Sequence, residues 1–148
     1  MADQPFADIP AGGVFQNRFL AAGPTSTEPS TLTLLGGGVS YISFLWGSPD
    51  TYNRLTVNST GGSQLFTAMS LGFPVTNGDQ SFSQVVQFQA NAGVMITSLV
   101  FSNLPSINAL ETANYSVTRA IPEPETYALM LAGLGALGFV ARRRKRAA

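Results

Sequence analysis

The chain has 148 residues, 45% of them apolar and only 11% charged, enough apolar content for one packed domain with accessories but far less charge than an ordinary soluble protein carries. It has no histidine and no cysteine, which excludes imidazole- and thiol-based catalysis, thiolate or imidazole zinc sites, thiol redox chemistry and disulfides. Up to Ile121 three basic residues (Arg18, Arg54, Arg119) stand against six acidic ones, while from Pro122 onward five basic stand against two acidic, so the body is weakly acidic and has no basic face for nucleic acid.

Taken in chain order, residues 1–10 are polar, with two acids and two prolines, the reverse of a basic region followed by an apolar core. A secretory signal is therefore expected upstream of Met1 in the native precursor. Strands are expected at Val14–Leu20, Thr31–Leu35, Val39–Trp46, Thr51–Val57, Gln64–Ala68, Ser81–Gln89, Met95–Phe101 and Tyr115–Arg119, with a loop or early linker over Ala21–Ser30. In Ser81–Gln89 alternation puts Phe82, Val86 and Phe88 on one face, and in Met95–Phe101 it puts Met95, Leu99 and Phe101 on one face. Val39–Trp46 is apolar on both faces and reads as a central strand. Turns are expected at Gly36-Gly37-Gly38, Ser48-Pro49-Asp50, Ser59-Thr60-Gly61-Gly62, Asn77-Gly78-Asp79 and Leu104-Pro105-Ser106, where glycine supplies positive φ and proline fixes it. Short strands cut by turns at this spacing predict an all-β body over residues 1–121, a β-sandwich of jelly-roll-like or immunoglobulin-like type.

The body offers little chemistry. Its carboxylates, Asp3, Asp8, Glu28, Asp50, Asp79 and Glu111, are scattered and read as solvated loop acids, with no close pair for acid–base work and no catalytic residue. Asp79 alone is far from the six or more oxygens calcium takes, so neither a metal nor a cofactor is expected. Trp46, Asp50, Tyr52 and Asn53 could together form a sugar-stacking platform on a loop; the alternative is a core tryptophan followed by an ordinary turn.

The tail, residues 122–148, falls into three blocks. Pro122-Glu123-Pro124-Glu125 cannot be helix or central strand, because both prolines lack a donor and force the preceding residue extended. Residues 127–141 carry no charge and are apolar all round; as a helix of about 22 Å they fall short of the ~30 Å hydrocarbon core, a mismatch that snorkelling flanks can relieve. Those flanks are Arg142, Arg143, Arg144, Lys145 and Arg146, which would also hold that end in the cytoplasm and leave the body across the membrane. A single C-terminal transmembrane helix is thus expected. Within it, Gly133-Leu134-Gly135-Ala136-Leu137-Gly138 matches G-x-G-x-x-G but has neither the preceding strand nor the distant acid of a dinucleotide fold.

The order Pro122-Glu123-Pro124, apolar helix, arginine cluster resembles the PEP-CTERM sorting signal of Gram-negative, exopolysaccharide-producing bacteria. The resemblance implies recognition and cleavage near Pro122-Glu123-Pro124 by exosortase, an integral-membrane enzyme, with this chain as substrate. It further implies an exported surface or extracellular-matrix protein, tethered to the membrane as a precursor, with exopolysaccharide as a partner. Trp46-Gly47-Ser48-Pro49-Asp50-Thr51-Tyr52-Asn53 is similar to a stretch of small exosortase-dependent surface proteins, which tend to end in Ala-Phe-Glu-x-Asp-Asn, whereas this chain has Ala109-Leu110-Glu111-Thr112-Ala113-Asn114. A non-enzymatic surface protein is the expectation, with a displayed carbohydrate-binding module as the alternative.

Overall fold

The computed structural model describes residues 10–12, 18–24, 28–119, 129–137 and 142. Apolar residues at every second position, in runs too short for helices and cut by glycine and proline, form eight strands: β1 Leu20–Ala22, β2 Ser30–Thr33, β3 Tyr41–Gly47, β4 Asn53–Ser59, β5 Gly62–Phe66, β6 Ser83–Gln89, β7 Ile96–Asn103 and β8 Leu110–Thr118. They build two antiparallel sheets of four strands, in the orders β1-β8-β3-β6 and β2-β7-β4-β5. Only the β4–β5 hairpin stays within one sheet; every other connection crosses to the other sheet.

The two sheets bury their inner faces against each other. Ile42, Phe44, Trp46, Val86 and Leu110 come from one sheet and Leu55, Val57, Ile96, Leu99 and Phe101 from the other, all in one cluster. Phe44 meets Phe101 edge-on across the interface at 5.8 Å, and Phe66 meets Phe88 at 5.0 Å. Each fully buried side chain of this size contributes roughly 1.5–3 kcal/mol.

Alternation sets the faces of β6 as expected, with Val86 buried, Phe88 half-buried and Val85, Gln87 and Gln89 exposed. β3 is central, between β8 and β6. Its outer face is also apolar because the segment Pro10–Gly12 lies over it: a Cβ on Gly47 would come within 2.7 Å of Pro10, and Gly12 approaches Leu45.

Two bulges overturn expectations that simple alternation set. In β7, Asn58 pairs with Ser98 but Ser59 pairs with Ile96, so Thr97 is an extra residue and Ile96, not Met95, turns into the core. In β8, Ser43 pairs with Ser116 and Leu45 with Ala113; the extra residue goes with Asn114 at φ 54°, so Thr112 and Tyr115 both face inward and hydrogen-bond through their hydroxyls. β8 is therefore longer than the expected Tyr115–Arg119, and its first half, from Leu110, carries buried residues.

The first strand is Leu20–Ala22 instead of Val14–Leu20, of which 14–17 lie outside the described residues. Nor is Ala21–Ser30 a linker: the Glu28 carboxylate accepts from the Asn103 amide and the Ser106 hydroxyl, fixing this loop to the β7–β8 loop.

Candidate functional site

Alternation along β3 sends Trp46 inward with Ile42 and Phe44, where it is 0% exposed and edge-on to Phe73 at 5.5 Å. Its indole Nε1 has no hydrogen-bond partner among the described residues. Asn53, the first residue of β4, is also 0% exposed. Its Oδ1 accepts from the Asp50 amide at 2.6 Å, closing the Ser48-Pro49-Asp50 turn, and its Nδ2 donates to Asn103 Oδ1 at 2.7 Å. Two of the four residues expected to make a sugar platform are thus core, and only Asp50 and Tyr52 reach the surface. A tryptophan with no exposed area presents no ring face to a sugar, so the platform at Trp46 is replaced by a packing residue followed by a turn.

Asp50 and Tyr52 serve each other. The Tyr52 hydroxyl donates to Asp50 Oδ2 at 2.6 Å, and burial first, then this bond to a carboxylate, pushes the phenol up to about 12. Asp50 also bridges to Asn77 and packs against Gly78, where a Cβ would lie 2.9 Å from its carboxylate. On the neighbouring strand Glu111 is only 3% exposed and accepts from the Ser48 hydroxyl at 2.6 Å. Asp50, Glu111, Ser48 and Asn108 line a small polar pocket of about 100 Å³.

The reading of the acids as solvated therefore fails for Glu111, which is buried, and for Glu28 and Asp50, which are half-buried and hydrogen-bonded. It holds for Asp79, whose carboxylate accepts from the Ser81 amide at 2.9 Å and hydroxyl at 2.7 Å. Those bonds hold its pKa below the usual carboxylate value, as in a turn cap. Asp3 and Asp8 lie outside the described residues. No group of three or more acidic residues suited to a metal ion occurs among the described residues.

In the tail, residues 129–137 are helical and exposed, with Leu129, Met130, Leu131, Leu134 and Leu137 all on the outside and none in the core cluster. Gly133 and Gly135 sit inside this helix, so they form no phosphate-binding loop. Nine helical residues rise only about 13 Å, and no described helix is long and apolar enough to cross a membrane. The expected span of 127–141 runs beyond the described helix at both ends. Arg142 is exposed. Pro122, Glu123, Pro124, Arg143, Arg144, Lys145 and Arg146 lie outside the described residues.

Comparison with curated proteins and with solved structures finds no match to the chain. The model of one family, the PEP-CTERM protein-sorting motif, matches residues 120–145, the segment that holds the first two ordered blocks and the basic cluster as far as Lys145. The chain thus carries a PEP-CTERM motif, the mark of a surface protein sorted by exosortase.

Proposed function

We propose that the chain is an exported, non-enzymatic surface or extracellular-matrix protein, a β-sandwich held at the membrane by residues 127–141 and released by exosortase at Pro122–Glu125. The observation that carries this reading is the match of the sorting motif at residues 120–145, where a proline–glutamate segment, an apolar stretch and a basic cluster follow in order. The body supports it by its independence: the core cluster draws on strands and loops of the body and on none of residues 129–137. The strand orders 1-8-3-6 and 2-7-4-5 support the jelly-roll type of sandwich, and a fold by itself carries no chemistry. The lack of histidine and cysteine, the commonest base and the commonest thiol nucleophile, supports the non-enzymatic part of the reading.

The test replaces Pro122, Glu123 and Pro124 with alanine in an exosortase-positive host. Wild-type protein should be recovered from the envelope or medium with a C-terminus at residues 122–125 by mass spectrometry, and the triple variant should stay membrane-bound and full-length. Normal release of the variant would refute the reading.

A second reading, carbohydrate binding by the body, is favoured by an uncharged cleft between the open edges of β5 and β6.

A further inference from the structure

β5 and β6 are edge strands on the same side of the sandwich, one in each sheet. On β5 the residues paired with the inward-facing Leu55 and Val57 are Phe66 and Gln64, and beyond them comes Gly62. Along this inner face the side chain therefore goes from aromatic to amide to none. A sandwich closes only where both inner faces supply apolar bulk, so here the sheets stay apart and leave a cleft of about 280 Å³. Phe66 and Phe88, half-buried, form its floor with ring centroids 5.0 Å apart. Its walls are the Ser59–Gly62 turn and the Gln89–Val94 loop, tied together by the Thr60 amide donating to the Met95 carbonyl at 2.9 Å.

None of the residues lining this cleft is charged. The Gln64 and Asn91 amides have no partner among the described residues, and Gln89 uses only its Nε2, donating to the Ser40 carbonyl at 3.0 Å and the Ala90 carbonyl at 3.4 Å. An amide presents donor and acceptor side by side, as a sugar hydroxyl does, so uncommitted amides above an apolar floor complement a ring that has a C–H face and a hydroxyl rim. The missing charge disfavours phosphates and uronates, which would be desolvated here without a counter-ion. The polar rim disfavours a lipid chain. We infer that the cleft between the edges of β5 and β6 binds a neutral glycan, with Phe66 and Phe88 under the ring and Gln64, Gln89 and Asn91 on its hydroxyls. This assignment rests on the carbohydrate-binding reading and gives it a location, at the opposite end of the sandwich from Trp46.

The test uses the full-length chain in a sugar-free detergent, titrated calorimetrically with neutral hexasaccharides of β-linked glucose, mannose and galactose, and with hexagalacturonate. At least one neutral hexasaccharide should bind with sub-millimolar affinity, above hexagalacturonate. Gln64→Ala and Asn91→Ala should each weaken it about tenfold, the scale of one hydrogen bond. Gln87→Ala, on the exposed outer face of β6, should leave it unchanged. Glycan binding that survives both cleft variants would overturn the site and leave carbohydrate binding standing. No binding of any neutral glycan, or preference for the uronate, would overturn both. Tighter binding of an extended Thr-Val octapeptide than of any glycan would assign the edge of β5 to strand addition and overturn the proposal.

Discussion

Asn103 closes the sandwich at the end where Trp46 lies. It is the last residue of β7 and 6% exposed; its Oδ1 accepts from Asn53 Nδ2 at 2.7 Å and its Nδ2 donates to the Ala22 carbonyl at 2.6 Å. Since β7 and β4 belong to one sheet and β1 to the other, this one amide joins the two sheets. Asn103→Ala would leave a buried donor on Asn53 and a buried acceptor on Ala22, at about 1–3 kcal/mol each. With the lost packing, and allowing for partial entry of water, the expected cost is ~3–5 kcal/mol. Asn58 is the internal control: it also makes two side-chain bonds, donating to Ser98 at 2.9 Å and accepting from Ser63 at 2.7 Å, but on the outer face. There water replaces the lost partners, so Asn58→Ala should cost less than about 1 kcal/mol. Urea unfolding followed by the fluorescence of the chain's lone tryptophan, Trp46, reads both variants. Asn53→Ala with Asn103→Ala should cost less than the two singles added, by about 1–2 kcal/mol, because the second change removes a group the first has already left unpaired. Equal costs for the Asn103 and Asn58 variants, or strict additivity at Asn53 and Asn103, would refute the claim that this network holds the sheets together.

At alkaline pH, Tyr52 sets a second expectation. Its phenol rises from 10.0 to about 12 in the folded chain, so the stability it contributes is fully present below pH 10 and is lost as pH climbs through about 12. Tyr52→Phe should flatten the fall of the urea midpoint over that window, and an unchanged slope would sink the assignment to Asp50 and burial. For the tail, replacing Arg142, Arg143, Arg144, Lys145 and Arg146 with glutamine should weaken retention. Behind a signal peptide, a C-terminal epitope tag on the wild type should resist protease added to spheroplasts while the body is digested, and the neutralised variant should lose that protection. A wild-type tag accessible from outside would refute the orientation.

Strands whose inner faces obey strict alternation were legible from the residues alone. Val86 and Phe88 lie on the side their spacing demands, and β3 is central as its two apolar faces require. The bulges were not legible, because an extra residue is defined by what stands opposite: nothing near Met95 announces that Thr97 has no partner on β4. Leu110–Asn114 escaped for a related reason. Glu111 read as a solvated loop acid and Thr112 fell in no expected strand, yet both are buried, Glu111 on the Ser48 hydroxyl and Thr112 on Tyr115. The site differed most. Aromatic and polar residues adjacent in sequence at Trp46–Asn53 suggested a platform, but adjacent strand residues point to opposite faces, and Asn53 was needed to close its own turn. The cleft joins Gln64, on β5 of one sheet, to Asn91, in the loop that follows β6 of the other, a grouping that no local pattern displays. In the tail the sorting motif was legible because its signal is linear, blocks in order along residues 120–145.

Ser40 lies where β8 leaves the body. Its amide and hydroxyl both donate to the Thr118 carbonyl, and its own carbonyl accepts from the Ala90 amide at 2.9 Å and from Gln89 Nε2. The last residue of the last strand is therefore two hydrogen bonds from the wall of the cleft, and residues 119–128 separate it from the described helical residues 129–137. Even fully extended, ten residues reach no more than about 35 Å. On the proposed reading, in which this helix belongs to the membrane anchor, the body stays within that reach of the bilayer for as long as the tail is attached. Processing at Pro122–Glu125 would then remove that limit on how far the body, and the proposed glycan cleft with it, can move from the membrane.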